Sequence, residues 1–334
     1  MKIALDGFGG DHAPLAMLEG AALAVAEYGV EVVITGDEAV LKKTAVEHNI
    51  PLTGLHFSDT KDVIGICEEP TTLLQEHRDS SLGRAFTLLA QGDVDALVSA
   101  GSTGAIVVGG TFLIKRIKGI KRAAIASMVP CENGSYLLVD AGANTDCRPE
   151  MLHQFAIMGS MYLESVQGIR RPRVGLVNIG AEETKGGQLQ KDTYHLLEQD
   201  KNLNFTGNLE ARGIPLGEAD VVVCDGFTGN VILKLSEGWG KFLNNTLKDL
   251  FLTGLAGKFS AALLLKKISG LRKRMNYKEY GGAPLLGVTK PVIKAHGSSD
   301  KLAISKAIYQ AKLVVEQQMI ARITKALADQ KEEG

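Results

Sequence analysis

The chain is poor in the signatures that the commoner catalytic strategies need. Its 334 residues hold four cysteines, Cys67, Cys131, Cys147 and Cys224, with no CxxC pair and no histidine at zinc spacing. That argues against a disulfide scaffold and a structural zinc site, and reduced, mostly buried thiols are expected. Charge of one sign is missing too: 37 Lys and Arg against 38 Asp and Glu leave a net charge of −1, so nothing advertises nucleic acid as a partner. There is no Gly-x-Ser-x-Gly elbow, no P-loop and no strand-linked GxGxxG, which argues against an α/β-hydrolase, ATP hydrolysis and ordinary NAD binding. The start, Met1-Lys2-Ile3, carries no signal peptide, so a cytoplasmic location is expected. Residues 96–114 are uncharged, but Gly101-Ser102-Thr103-Gly104 sits among them. A membrane would leave that turn's amides unsatisfied, so a strand followed by a buried helix is expected instead.

What the chain has in quantity is glycine, 38 residues, much of it in turns. Six short apolar runs end in such turns, beginning at Asp6-Gly7, Ser99-Ala100-Gly101, Asp140-Ala141-Gly142, Asn178-Ile179-Gly180, Asp225-Gly226 and Ala295-His296-Gly297. Amides at a helix start have no partner inside the helix and can hold an anion. In α/β sheets such turns gather where the strands end, so one crevice for phosphate-like charge is expected.

Residues 2–5, 31–35 and Ala96–Ser99 read as strands, and 14–28, 38–48 and Ser81–Gln91 as helices. This alternation predicts βαβ units and a largely parallel sheet. It breaks where 123–129 and 136–139 flank Asn133-Gly134, a strong hairpin signal. A helix over 149–166, a strand from Arg173 and a helix over Gln188–Gln199 follow. Residues 235–274 show no strand pattern and read as helical pieces broken at Gly254, Gly257 and Gly270. A loop is expected at 280–284 and one long helix at 299–329. The expected architecture is a three-layer αβα fold with a mixed, mostly parallel sheet, a single domain over 1–334 with a helical excursion at 235–276.

Two turns carry groups able to do chemistry. Lys185 brings a cation into its turn, suited to neutralise phosphate or an oxyanion, with Glu182 and Glu183 beside it. His296 stands at the mouth of the last helix as an anion donor or general acid, with Ser298 or Ser299 expected as the helix cap. Asp6, Asp11, Asp140, Asp146 and Asp225 sit at strand ends, where aspartate either caps the next turn or helps hold Mg²⁺. No ligand set has metal spacing, so neither a metal nor a cofactor is expected.

Residues 247–274 hold seven basic side chains against one acid. Phe251, Leu255, Phe259 and Leu263 recur every four residues, with Lys266 and Lys267 beyond them. A basic amphipathic segment of this kind suits an anionic membrane, an acidic partner or a dimer interface.

Together these motifs resemble the bacterial phosphate acyltransferases of phospholipid synthesis, the acyl-carrier-protein:phosphate acyltransferases, over essentially the whole chain. The resemblance rests on Gly9-Gly10-Asp11-His12-Ala13-Pro14, Ser99-Ala100-Gly101-Ser102-Thr103-Gly104-Ala105, Asp140-Ala141-Gly142-Ala143-Asn144 and Asn178-Ile179-Gly180. It continues through Lys185-Gly186, Asp225-Gly226-Phe227-Thr228-Gly229-Asn230, Tyr280-Gly281-Gly282-Ala283 and the run from Ile293 to Asp300. The chain departs from it at Gly7-Phe8, where the family often has Ala-Met, and at Ser102, where it often has Asn.

The resemblance implies a fold like that of isocitrate and isopropylmalate dehydrogenases and of phosphotransacetylase, and a homodimer. It implies transfer of a long acyl chain from acyl carrier protein to inorganic phosphate, giving an acyl phosphate for a downstream glycerol-3-phosphate acyltransferase. It also implies peripheral association with the inner face of the cell membrane. Phosphate is then the nucleophile, and a thiol with pKa about 8.5 leaves readily, so positioning and oxyanion stabilisation carry the catalysis. On this basis Lys185 and His296 are the expected catalytic residues. Asp6, Gly9, Gly10, Asp11, Gly101, Ser102, Thr103, Gly104, Asn144, Asn178, Asp225, Thr228, Asn230, Ser298 and Ser299 are expected to bind phosphate or acyl phosphate. The alternatives are a short-chain phosphotransacetylase using coenzyme A, a non-catalytic membrane scaffold and a decarboxylating dehydrogenase.

Overall fold

Apolar runs buried on both faces form the interior of an eleven-stranded sheet, seen in a computed structural model that describes residues 1–252 and 281–332. The strands are β1 (Lys2–Asp6), β2 (Glu31–Gly36), β3 (Leu55–Asp59), β4 (Ala96–Ser99), β5 (Ala124–Cys131), β6 (Gly134–Val139), β7 (Arg173–Asn178), β8 (Asn204–Glu210), β9 (Val221–Val223), β10 (Gly282–Leu286) and β11 (Val292–Ala295). Their order is β3-β2-β1-β4-β11-β10-β5-β6-β9-β7-β8. β9 is three consecutive buried valines, as an interior strand with both faces covered requires.

Alternate residues feed two cores. Ile3, Leu5, Ala96, Val98, Leu137 and Val139 belong to one face; Ala4, Leu97, Tyr136, Leu138 and Val222 belong to the other. The first face is covered by α1 (Leu15–Tyr28), α5 (Pro149–Tyr162), α6 (Gln188–Gln199) and α8 (Lys301–Glu316), and the second by α3 (Ser81–Gln91) and α4 (Thr103–Gly109). The remaining α-helices among the described residues are α2 (Glu38–Glu47), α7 (Gly226–Leu252) and α9 (Met319–Glu332). Burying each large aliphatic side chain here contributes roughly 1.5–3 kcal/mol, which fixes the strand register.

The antiparallel pairs are β11–β10, β10–β5 and β5–β6; the last is the hairpin expected at Asn133-Gly134. They reverse the sheet at its middle. β3, β2, β1, β4 and β11 run one way, and β6, β9, β7 and β8 run the other. The six turns therefore do not end on one edge, as expected from the sequence: three open on each. Helix α7 links the two, starting where β9 ends and running 27 residues, about 40 Å, along the face of Tyr136.

Four further expectations are corrected. Residues 280–284 are not all loop, because from Gly282 the chain pairs with strands on both sides. The last helix is two: Gln318 adopts φ +50°, and the bend sends Met319 and Ile323 into the core. Neither Ser298 nor Ser299 caps α8; the Asp300 carboxylate accepts from the Ala303 amide instead. The thiols are less buried than expected, with Cys67 exposed and only Cys224 fully buried. The breaks expected at Gly254, Gly257 and Gly270, and the contact residues Leu255, Phe259, Leu263, Lys266 and Lys267, lie outside the described residues, as does the Phe251 side chain.

Candidate active site

At one edge the chain closes three turns upon one another. The Ser99 hydroxyl donates to the buried Asp6 carboxylate at 2.7 Å and accepts the Gly101 amide at 3.0 Å. Burial raises the Asp6 pKa, although bonds from serine hydroxyls and from the Phe8 and Gly9 amides work against it. Gly9 must be glycine, since a Cβ there would sit 2.5 Å from an Asp6 oxygen. The Asp11 amide donates to the Gly297 carbonyl at 2.8 Å, which ties the β1 turn to the β11 turn. Asp6, Gly9, Gly10 and Asp11 thus form the frame of this edge.

In front of that frame lies a cavity of about 1600 Å³, on the sheet face that carries Lys294, Ser127 and Tyr136. Gly101–Gly104, His296, Gly297 and Lys294 line one end, and Ser102 at the start of α4 makes no side-chain cap. The flank is mostly apolar: Ile125 and Val129 from β5, Ile214 and Pro215 from a loop, and Leu233, Trp239 and Leu243 from α7. The cavity also reaches Gly142 and Asn230 near the second edge.

A small charge network marks the polar end. His296 Nδ1 accepts the Ser298 amide at 3.2 Å and lies 2.9 Å from the Ser298 hydroxyl. An imidazole that accepts at Nδ1 carries its proton on Nε2, and this atom faces Glu237 at 3.6 Å. Glu237 also receives the Lys234 ammonium at 3.0 Å. Burial alone raises the Glu237 carboxyl, but the His296 imidazole facing it and the hydrogen-bonded Lys234 ammonium outweigh burial and bring its pKa down to about 2.

The other edge is built differently. The buried Asp140 carboxylate accepts the amides of Ile125, Gly142, Ala143 and Asn144 and the Asn144 side chain, at 2.7–3.2 Å. Asp225 accepts both the amide and the hydroxyl of Thr228, capping the first turn of α7. Gly229 is obligatory here, because a Cβ would lie 1.9 Å from the Asp140 carbonyl oxygen. Asn178 is buried and spends its amide on the Lys185 carbonyl and Asn208, and its oxygen on the Ile179 amide. Own side chains fill these three turns, so Asn144, Asn178, Asp225 and Thr228 are engaged in holding them shut.

His296, Gly101, Ser102, Thr103, Gly104 and Asn230 come together at the cavity, and Ser298 reaches it through His296. Lys185 does not line it: its ammonium is about half exposed, 3.8 Å from Glu182, in the turn after β7. Ser299 is buried behind the β11 turn, and Arg173 is engaged with Asp220 in a bidentate pair. The residue sequence reasoning passed over is Lys294, hidden in a strand that reads as Val-Ile-Lys-Ala. Strand alternation was the available signal: Ile293 and Ala295 face one core, which turns Lys294 to the cavity side.

A cavity that sets ammonium groups and an imidazole at the end of an apolar trough suits a transferase working between an anion and a hydrophobic group. Known proteins agree. Residues 1–322 match the family described as fatty acid synthesis protein. The phosphate acyltransferase of Caldicellulosiruptor bescii is 43% identical over 333 residues, covering 99% of this chain and 100% of that one. That of Thermoanaerobacterium thermosaccharolyticum is 45% identical over 327 residues, covering 98% and 97%. The chain belongs to the phosphate acyltransferase family. In fold it is similar to a phosphotransacetylase from Streptococcus pyogenes, with TM-score 0.62, 17% identity and coverage of 96% and 94%. A phosphotransacetylase from Staphylococcus aureus gives 0.61, 16%, and the same coverage.

Proposed function

We propose that the protein transfers a long-chain acyl group from the thioester of an acyl carrier protein to inorganic phosphate, releasing acyl phosphate and the free carrier thiol. The cavity carries this reading. One end offers cations and amides to an anion, and the adjoining apolar trough accepts an alkyl chain. A phosphate oxygen attacks the thioester carbonyl, the carbonyl oxygen takes up negative charge, and the thiolate leaves as the carbonyl reforms. No protein nucleophile is needed. His296 is proposed as the donor to phosphate or oxyanion through Nε2, beside the Ser102–Gly104 turn that opens α4; the Gly101 amide is already spent on Ser99. For Lys185, which opens on the other edge and does not line the cavity, the charge-stabilising role expected from the sequence stays a proposal without support from its placement; unchanged turnover of Lys185→Ala at saturating phosphate removes it.

The test is product analysis. Protein, palmitoyl-acyl carrier protein and phosphate should yield acyl phosphate, trapped by hydroxylamine, together with one free thiol per product. Faster reaction with acetyl-coenzyme A would favour a short-chain phosphotransacetylase, and no acyl phosphate from any donor would favour a scaffold.

The remaining assignments concern company. A homodimer, peripheral contact with an anionic membrane and a downstream glycerol-3-phosphate acyltransferase are proposed, within a single domain whose excursion at 235–276 serves contact. Helix α7 supports this, since Phe227, Val231 and Phe242, which do not line the cavity, are each more than half exposed, from 52% to 65%. Among the described residues no helix is long and apolar enough to cross a membrane. Charge reversal at Lys266 and Lys267 should weaken binding to anionic vesicles while activity on soluble substrate survives; unchanged binding overturns the membrane assignment.

A further inference from the structure

We propose that Lys294 is the principal cation for the attacking phosphate, held in the cavity wall as an ammonium whose charge is released for substrate. The proposal rests on the acyl-transfer reading above and names the residue that gives the site its affinity for the nucleophile.

Lys294 is the third residue of β11, between β4 and β10, with Ser99 and Ala283 as its strand partners. Strand alternation sends its side chain to the face where the cavity lies, and it lines that cavity beside Gly101, His296 and Gly282. Among the described residues its Nζ donates to one acceptor, the carbonyl of the adjacent Ala295 at 3.1 Å. An ammonium has three donors, so a neutral carbonyl neither fills its bonding capacity nor balances its charge.

The surroundings explain why the charge is available. From α7 it is faced by Lys234 and Glu237, and from its own strand end by His296. From β4 comes Ser99, whose hydroxyl is already committed to Asp6 of β1; β10 supplies Gly282 and Ala283, which do not ionise. Glu237 is the sole carboxylate among the residues closest to it on α7, and it is occupied by Lys234 and His296. Burial, reinforced by the Lys234 ammonium, draws the Lys294 pKa down to about 8 against the opposing pull of Glu237. A phosphate dianion entering this end supplies the missing countercharge, and its binding holds the proton on Lys294.

Two consequences separate this from a packing role. Phosphate affinity should fall as pH rises through about 8 in the wild type. Arginine at the same position keeps its charge throughout, so Lys294→Arg should retain phosphate binding and lose that alkaline decline.

The experiment measures KM for inorganic phosphate between pH 7 and 10 for wild type, Lys294→Arg and Lys294→Gln, with phosphate binding by calorimetry and melting curves for each. We expect Lys294→Gln to raise the phosphate KM and Kd about ten- to hundredfold, with KM for the acyl donor little changed, as loss of a charge-assisted bond implies. We expect the alkaline rise in KM to be flattened in Lys294→Arg. A folded Lys294→Gln with wild-type phosphate KM overturns the proposal, as does an alkaline rise unchanged in Lys294→Arg. If Lys294→Gln melts early, the arginine profile alone decides. Absence of acyl phosphate from the wild-type protein would instead overturn the acyl-transfer reading, and calorimetry with phosphate still tests Lys294.

Discussion

The two edges of the sheet carry turns that look alike in sequence and do opposite things. At the first, the turns after β1, β4 and β11 lock to one another, and the Gly101–Gly104 and His296–Gly297 segments face a large cavity. At the second, Asp140, Asp225 and Asn178 reach into the turns after β6, β9 and β7 and bond their amides and neighbouring side chains. A glycine turn offers an anion site only while its donors are unclaimed. A carboxylate from the chain itself fills such a nest as well as a phosphate does, and then the turn is a rivet.

The largest effect should come from pulling that rivet. Asp140→Ala leaves the amides of Ile125, Gly142, Ala143 and Asn144 without their acceptor in a buried turn. Unsatisfied buried donors cost about 1–3 kcal/mol each, so a loss of at least about 3 kcal/mol in urea denaturation is expected. The phosphate KM of whatever folds should stay near wild type. Normal stability with a raised phosphate KM would reverse the roles assigned to the two edges.

Removing His296 should produce the complementary result. The imidazole side chain is 38% exposed and lies beside Ser298 and Glu237 at the polar end of the cavity, outside the two apolar cores. His296→Ala should lower kcat/KM about a hundredfold, the usual loss of one oxyanion-type donor, with a melting temperature close to wild type. A drop in stability with activity retained would place His296 in the frame beside Asp6.

Much of this was legible from residue pattern alone. The alternation of strands and helices, the Asn133-Gly134 hairpin and the strand-helix order across residues 96–114 stand in the structure, although the helix there is half-buried, with Phe112 exposed, and not buried as expected. Local signals missed what depends on neighbours. Gly282-Ala283-Pro284 looks like loop until strands on both sides claim it, and the edge strands β3 and β8 carry too few apolar residues to announce themselves. The bend at Gln318 has no glycine or proline to mark it and follows from seating Met319 and Ile323. The reversal of the sheet is a property of pairing, invisible to any one segment. It decided the site: it separated Lys185 from His296 and brought Lys294 forward.

The smallest effect concerns α7, which belongs to both edges, fastened at its start by Asp225 and meeting the cavity at Glu237. Because the Glu237 carboxyl is lowered from 4.5 to about 2, its contribution to stability is present above about pH 4.5 and is lost as pH falls toward 2. In Glu237→Gln that acid limb should shrink by about 1 kcal/mol, read as the difference in unfolding free energy between pH 6 and pH 3. The same substitution frees Lys234 and His296 from their shared anion, so phosphate should bind the variant more tightly at pH 7. An unaltered acid limb would mean that Glu237 is not held by His296 and Lys234, and the cavity end of α7 would then be as loosely joined to its edge as its start is firmly joined to the other.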